Sequence, residues 1–282
     1  MPKAADYLSK ETAWCPGCGN FAIRQAVAEV LAEMNLAPHE VLMCSGIGQA
    51  AKMPQYLRVN GFNGLHGRAL PPAVGARVAN TTLTVIVESG DGDTYGEGGN
   101  HFIHNIRRNP HLAHFVHDNQ VYGLTKGQAS PTSEVGMKTN VQTAGVYLPP
   151  FNPLAVALTM GAGFVARAFV GEKEHLKATM RAAITFPGYA LVDILQPCPT
   201  FNKLNTYAWY KERVYFPTNH DQGDWNAALT LARQWGDRIP LGILYSVPRP
   251  TFEEQFPLLA GAPLAHRPFN PLDLAHVQDE FK

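Results

Sequence analysis

The residues LTVIVESGDGD at positions 83–93 and AHFVHDN at positions 113–119 decide the predicted fold class. Each segment opens with a short run rich in β-branched, aliphatic or aromatic residues, which predicts strands over Leu83–Val87 and Ala113–His117. The intervening segment Gly99–Arg108 is predicted to be helical. Strand, helix and strand in this order predict two parallel strands, because the helix returns the chain to the edge where the first strand began.

The same alternation continues on both sides of this unit, which predicts an α/β fold with a parallel sheet and helices on both faces. The other predicted strands are Val41–Met43, Phe164–Phe169 and Ala190–Leu195. The other predicted helices are Asn20–Met34, Pro72–Ala79, Pro153–Met160, Glu172–Thr185 and Asp224–Gln234. After Cys198 the alternation of strand-like and helix-like runs gives way to a sequence with many aromatic and proline residues. We therefore expect one domain over residues 1–215 and an extension over 216–282 that packs on this domain or on a partner subunit.

The composition argues against some kinds of partner. The chain has 282 residues, with 23 Lys plus Arg against 23 Asp plus Glu, so its formal net charge is zero. No overall field attracts it to nucleic acid or to a lipid surface, and neither is predicted as a partner. The polar segment Met1–Thr12 lacks the apolar run of a secretory signal, and no later segment has the roughly 18 consecutive apolar residues of a membrane span. We therefore expect a cytoplasmic protein.

Polar residues follow two neighbouring predicted strands. Asp91 lies between Gly90 and Gly92 after the first strand, and Asn119 follows the second. Carboxylate, amide and backbone carbonyl oxygens suit Mg²⁺, so Asp91, Asn119 and the carbonyl of Val121 are candidate ligands, while the glycines let the backbone approach a phosphate. Gly-Asp-Gly alone is typical of an ordinary turn. Its pairing with Asn119 one βαβ unit later favours a site for a magnesium-bound diphosphate, since open α/β sheets bind ligands at the carboxyl ends of their strands.

The four cysteines are Cys15, Cys18, Cys44 and Cys198. They are too few for a disulfide scaffold in a chain of this length, so metal binding or redox chemistry is the favoured interpretation. The Cys-x-x-Cys spacing of Cys15 and Cys18 is compatible with half of a zinc site, a dithiol pair or half of an iron–sulfur site. Cys44 and Cys198 both follow predicted strands, so all four thiolates are expected to converge on one metal centre.

Several motifs, taken together and in order, resemble the β subunit of the 2-oxoacid:ferredoxin oxidoreductases. The resemblance extends from the amino terminus to about Asn202. The motifs are Trp-Cys-Pro-Gly-Cys-Gly at 14–19, Ser-Gly-Ile-Gly at 45–48, Leu-His-Gly-Arg at 65–68, Gly-Asp-Gly-Asp at 90–93, Gly-Gly-Asn-His at 98–101 and Tyr-Gly-Leu-Thr-Lys-Gly-Gln-Ala-Ser-Pro-Thr at 122–132.

The resemblance implies a thiamine diphosphate-binding fold and three cofactors, namely thiamine diphosphate, Mg²⁺ and a 4Fe–4S cluster, all within residues 1–215. It assigns magnesium to Asp91, Asn119 and Val121. The residues expected to line the thiamine cofactor are Ile47, Gly48, Gln49, Ala50, His66, Gly90, Gly92, Asp93, Gly123 and Leu124.

The cluster cysteines match the family incompletely. Cys15, Cys18 and Cys198 correspond directly, but the family usually carries a further cysteine immediately after the Ser-Gly-Ile-Gly turn, where this chain has Gln49. Either the glycine-rich loop shifts so that Cys44 replaces it, which we favour, or the cluster is incompletely ligated or absent. A closed zinc site would have no redox role beside thiamine, so a cluster is favoured over zinc.

The resemblance also implies a reaction and partners. A 2-oxoacid, coenzyme A and oxidised ferredoxin give an acyl-coenzyme A, carbon dioxide and reduced ferredoxin, reversibly. The glutamate that activates thiamine belongs to another module, so a larger α subunit is expected, in an αβ or (αβ)₂ complex, and the chain alone is expected to be inactive.

Three side chains are candidate catalytic groups, namely His66, Lys52 and Lys126. The two lysines offer a cation for the distal carboxylate of 2-oxoglutarate, which would give succinyl-coenzyme A. Alternatives are pyruvate or another 2-oxoacid, and a non-redox thiamine-dependent decarboxylase. The lysines would then be solvated surface residues, as most lysines are.

Overall fold

A computed structural model of the protein describes residues 1–9, 11–268 and 274–282. Its centre is a seven-stranded sheet with the strand order β11-β7-β8-β4-β3-β1-β2. The strands of this sheet are β1 (Val41–Ser45), β2 (Asn60–Asn63), β3 (Thr84–Gly90), β4 (Leu112–Asp118), β7 (Phe164–Phe169), β8 (Tyr189–Leu195) and β11 (Gly242–Ser246). Two short pairs lie outside it, β5 (Val121–Tyr122) with β6 (Gln128–Ala129) and β9 (Val214–Tyr215) with β10 (Ile239–Pro240).

The neighbouring strands of the main sheet pair in parallel from β7 to β2, and only β11 pairs antiparallel, with β7. The helices are α1 (Ala4–Tyr7), α2 (Asn20–Glu33), α3 (Met53–Tyr56), α4 (Leu70–Ala79), α5 (Gly99–Arg108), α6 (Pro153–Thr159), α7 (Lys173–Thr185), α8 (Tyr207–Lys211), α9 (Trp225–Ala232) and α10 (Ala275–Asp279). Every predicted strand and helix is present within a few residues of its predicted bounds. No helix of the described ranges is long and apolar enough to cross a membrane.

Two apolar cores flank the sheet. One contains Ile23 of α2 and Leu176 of α7, and the other contains Leu70 of α4 and Phe102 of α5. Successive strand residues alternate between the cores, so Met43 of β1 packs in the first and Cys44 in the second. Helices therefore cover both faces, which confirms the predicted α/β architecture.

The segment after residue 215 is built into this sheet. Strand β11 extends the sheet beside β7, and β10 pairs with β9 across the predicted boundary. The Asn109 side chain donates to the carbonyls of Arg249 and Pro250 and accepts from the Tyr189 backbone N–H of β8. The extension over residues 216–282 thus contributes a strand to the sheet beside edge strand β7.

Sheet order determines where the polar residues meet. Strands β3 and β4 are neighbours, with Gly90 opposite His117, so Asp91 and Asn119 leave the same edge of the sheet side by side. Directly after β3 the chain enters a single turn of π-helix over Gly92–Glu97, a rare conformation that is frequent at functional sites.

Candidate active site

A cavity of about 70 Å³ lies at the carboxyl ends of β1, β3 and β4. Its walls include every residue that the sequence predicts to bind thiamine diphosphate or magnesium. These residues are Ile47, Gly48, Gln49, Ala50, His66, Gly90, Asp91, Gly92, Asp93, Asn119, Val121, Gly123 and Leu124, and Tyr122 and Thr125 complete the wall.

Asp93 organises one side of this cavity. Its Oδ1 accepts hydrogen bonds from the backbone N–H groups of Ile47 and Gly67 at 2.9 and 2.8 Å, and lies 2.7 Å from His66 Nδ1. Burial raises the pKa of Asp93, and these contacts act in the opposite direction. A Cβ on Gly46 would lie 2.1 Å from Asp93 Oδ2, so the turn after β1 needs glycine at this position. Asp93 thus joins the turn after β1 to the loop that carries His66.

Asp91 lies on the other side and is almost completely buried. Its Oδ2 accepts from Ser130 Oγ at 2.5 Å and lies 2.7 Å from Thr132 Oγ1. Burial raises the pKa of Asp91 to about 6, although both hydroxyl contacts favour the ionised form. The Asn119 amide oxygen accepts from the Val121 backbone N–H at 3.0 Å, which fixes the turn between β4 and β5.

These residues fit a magnesium-bound diphosphate. The oxygens of Asp91, Asn119 and Val121 are hard ligands of the kind that Mg²⁺ takes. Asp93 Oδ2 is buried without a hydrogen-bond partner, which leaves an acceptor free in the cavity wall. Gly90 has no heavy atom within 4 Å of the position that a Cβ would occupy, so there is room beside the backbone for a ligand.

A second cavity, of about 210 Å³, lies beside the first. Three of the four cysteines line it, namely Cys15, Cys18 and Cys198. The pKa of Cys18 is raised to about 11, chiefly by burial and also by the neighbouring thiols of Cys198 and Cys15. Gln196 Nε2 donates to Cys18 Sγ at 3.6 Å. The two cavities share four wall residues, Gln49, Asn119, Gly123 and Leu124.

Cys44 is not brought to the other cysteines. It is fully buried inside β1, in the core on the face opposite to α2, and burial alone raises the pKa of its thiol to about 12. The expected shift of the loop toward Cys44 is thus absent from the structure, because the side chain belongs to a strand whose neighbours on both sides are hydrogen-bonded. Among residues 1–9, 11–268 and 274–282, no three His, Cys, Asp or Glu side chains form a ready-made site for a single metal ion.

The candidate catalytic residues lie in three different places. His66 is held between Asp93 and Glu97 at the cofactor cavity, with Nε2 3.6 Å from Glu97 Oε2. Lys126 is exposed and lines the cysteine cavity, in a left-handed backbone conformation with φ of 78°. Lys52 ends a short 3₁₀ turn and lines neither cavity.

A buried polar network behind Asp91 was not predicted. Thr132 Oγ1 lies 2.7 Å from carboxylate oxygens of both Asp91 and Asp118. A hydroxyl donates one proton, so two ionised carboxylates cannot both be satisfied by it. Burial raises the pKa of Asp118 well above its usual range, with Asp193 adding to the effect. The sequence signal was available in part, since Ser130 and Thr132 end the motif at 122–132.

A parallel sheet that carries Asp91 and Asn119 beside a glycine-lined cavity defines a thiamine diphosphate-binding domain. Residues 43–194 match the family described as "Thiamine pyrophosphate enzyme, C-terminal TPP binding domain". Residues 198–261 match a second family, described as the carboxyl-terminal part of the pyruvate ferredoxin oxidoreductase beta subunit.

Relatives are similar over most of the chain. A 2-oxoacid:ferredoxin oxidoreductase subunit beta of Saccharolobus solfataricus is 43% identical over 82% of this chain and 81% of its own length. The 2-oxoglutarate oxidoreductase subunit KorB of Mycobacterium tuberculosis is 44% identical over 74% of this chain and 57% of its own length. The solved structure of 2-oxoglutarate:ferredoxin oxidoreductase from Magnetococcus marinus, with 2-oxoglutarate, coenzyme A and succinyl-CoA bound, has a TM-score of 0.88 at 40% identity and covers 90% of this chain and 88% of that chain. The chain therefore belongs to the β subunits of the 2-oxoacid:ferredoxin oxidoreductases.

Proposed function

We propose that the chain works with a larger α subunit to convert 2-oxoglutarate, coenzyme A and oxidised ferredoxin into succinyl-coenzyme A, carbon dioxide and reduced ferredoxin, reversibly. The observation that carries this proposal is the pair of adjoining cavities, one lined by the residues predicted for thiamine and the other by three cysteines. Bound thiamine diphosphate would supply the nucleophile for the keto carbon and take up the electrons left by decarboxylation. An iron–sulfur cluster in the neighbouring cavity would accept those electrons singly.

In this proposal the protein residues bind and orient. Asp91, Asn119 and the Val121 carbonyl hold Mg²⁺, and the burial of Asp91 keeps water from competing for its carboxylate. Ser130 and Thr132 fix the orientation of that carboxylate through hydrogen bonds. Three thiolates, those of Cys15, Cys18 and Cys198, would bind the cluster.

The substrate assignment is supported by the names of several relatives and by one lysine. Relatives from Mycobacterium tuberculosis and Methanocaldococcus jannaschii are named as 2-oxoglutarate oxidoreductase or synthase subunits. Of the two lysines, we favour Lys126 as the cation for the distal carboxylate, because it lines the cavity that adjoins the cofactor cavity, whereas Lys52 lines neither. Pyruvate is the alternative substrate, favoured by the description of the family that matches residues 198–261.

An exposed apolar surface supports a partner subunit. Val135, Val141, Tyr147 and Leu148 are between 59% and 79% exposed. They belong to the segment that follows Ser130, which binds Asp91. A large exposed apolar patch beside a functional site is typical of an interface. We expect the α subunit to cover it and to complete the active site.

The test is anaerobic purification of the chain together with its large subunit, followed by iron, sulfide and thiamine analysis and an assay of dye reduction. Iron, sulfide and thiamine, with reduction that requires both 2-oxoglutarate and coenzyme A, would support the proposal. Activity with pyruvate in preference to 2-oxoglutarate would replace the substrate. Thiamine without iron would leave a non-redox decarboxylase and refute the oxidoreductase.

A further inference from the structure

The cysteine cavity offers three thiols and no fourth. Cys15, Cys18 and Cys198 line it, while Cys44 is fully buried in the opposite core. Moving Cys44 to the cavity would require β1 to break its pairing with both β2 and β3. Buried backbone hydrogen bonds would be left without partners, so this change is strongly disfavoured.

Gln49 lines both the cysteine cavity and the cofactor cavity. Its backbone carbonyl accepts from Trp14 Nε1 at 2.8 Å, which fixes it beside the loop that carries Cys15. Its side chain lines the cysteine cavity, and Oε1 is buried without a hydrogen-bond partner. A buried amide oxygen without a partner is destabilising, so this atom is available to a ligand that the protein itself does not provide.

We propose that the chain binds its iron–sulfur cluster through three thiolates, and that the fourth iron faces Gln49 Oε1 instead of a thiolate. The inference rests on the proposed function, because it concerns the cluster of the same site. An amide oxygen is a harder and weaker ligand for iron than a thiolate, so the iron at this corner is held less firmly than the other three.

Two other amide side chains line this cavity, those of Asn119 and Gln196, and both have different roles. The Asn119 oxygen is already assigned to Mg²⁺. Gln196 Oε1 is also buried without a partner, but Gln196 Nε2 donates to Cys18 Sγ. Its amide is thus held against a sulfur that already binds the cluster, where it would tune the cluster without binding its iron. Lys126 in its charged form has no lone pair to offer iron. Gln49 is therefore the candidate for the fourth corner.

If the fourth iron is bound weakly, a mild oxidant should remove it selectively. One electron passes from the [4Fe–4S]²⁺ cluster to ferricyanide, which becomes ferrocyanide, and the oxidised cluster divides into [3Fe–4S]⁺ and a free Fe²⁺. Charge, iron and sulfide balance, and the protein loses about one iron in four without losing sulfide. Four thiolates would hold the same iron and oppose its loss.

The experiment compares the anaerobically purified complex containing wild-type chain, Gln49→Cys or Cys44→Ala, before and after brief treatment with ferricyanide. Iron-to-sulfide ratio and EPR spectrum are measured for each. We expect the wild type and Cys44→Ala to lose about a quarter of their iron and to gain the EPR signal of a three-iron cluster. Gln49→Cys is expected to retain its iron and to show little of that signal.

Two results would overturn the inference while leaving the oxidoreductase intact. One is a wild-type cluster that keeps all its iron under ferricyanide in an active complex. The other is loss of the cluster in Cys44→Ala while the chain remains folded and thiamine-bound. If Gln49→Cys fails to assemble, the wild type and Cys44→Ala still decide between these outcomes. A wild-type complex with thiamine but without iron would instead refute the proposed function itself.

Discussion

Gly46→Ala tests whether Asp93 organises the cofactor cavity. In the structure, an added Cβ at position 46 would lie 2.1 and 2.4 Å from the two carboxylate oxygens of Asp93. Contacts closer than about 3 Å do not persist between such atoms, so the carboxylate or the turn must move by roughly 1 Å. A movement of that size stretches hydrogen bonds from Ile47 and Gly67 that are now 2.9 and 2.8 Å long.

The free energy lost in Gly46→Ala can be estimated from these hydrogen bonds. Hydrogen bonds to a charged group contribute about 1.5–3 kcal/mol each, and partial relaxation of the turn will recover some of that. We expect the hydrogen bonds to Asp93 to lose on the order of 3 kcal/mol of stabilisation. If the whole of this loss affects cofactor binding, thiamine diphosphate should bind about 100-fold more weakly.

The assay is titration calorimetry of thiamine diphosphate with magnesium into the purified complex, beside thermal unfolding of the same samples. The control is Gly75→Ala, because Gly75 is exposed on α4 and has no heavy atom within 4 Å of its Cβ position. Alanine is favoured over glycine within a helix by about 0.5–1 kcal/mol, so this variant should be slightly stabilised and bind the cofactor normally. Binding by Gly46→Ala within about threefold of wild type would refute the role given to Asp93.

Two further predictions concern Asp91 and Lys126. Because burial raises the pKa of Asp91 to about 6, magnesium affinity should fall roughly tenfold for each pH unit below 6, and metal titration at several pH values checks this. The raised folded-state pKa also means that, without metal, stability should fall as pH rises from about 4 to 6. Asp91→Asn should reduce that slope in unfolding experiments without removing it, since burial raises the pKa of Asp118 and Asp193 as well. Lys126→Gly should raise stability by about 1 kcal/mol, since φ of 78° suits glycine, and should lower the kcat/KM ratio of 2-oxoglutarate to pyruvate. Lys126→Met keeps the strained backbone and removes only the charge, so an unchanged ratio in both variants would remove Lys126 from substrate recognition.

The centre of the sheet could be predicted because parallel strands buried on both faces are continuous apolar runs. Phe164–Phe169 has the same bounds in the prediction and in the structure. The two edge strands were not predicted. Asn60–Asn63 is exposed throughout, and Phe62 is its one large apolar residue. Gly242–Ser246 pairs through an irregular register.

The place of Cys44 shows how a small error at a strand end changes a predicted site. The prediction ended the first strand at Met43, which left Cys44 free to be assigned to a loop. The strand continues to Ser45, and strand residues alternate between faces, so Met43 and Cys44 enter opposite cores. The contact of Thr132 with two carboxylates was equally beyond prediction, because it depends on how the 122–132 segment folds back over β4.

The glycines of the cofactor cavity fall into two groups, according to whether a Cβ at that position would meet another part of the protein or open space. A Cβ on Gly92 would lie 2.3 Å from the Tyr122 ring, so packing within the protein already requires glycine there. Gly90 has free space around its Cβ position and an ordinary φ, and Gly123 meets only Gln49 Cγ at 3.7 Å. Folding does not require glycine at either of these positions, so the open space beside them is available to a ligand. The measurements designed for Gly46 extend to this case: Gly90→Ala should unfold like the wild type and bind thiamine diphosphate more weakly, and unchanged binding would show that the diphosphate lies elsewhere.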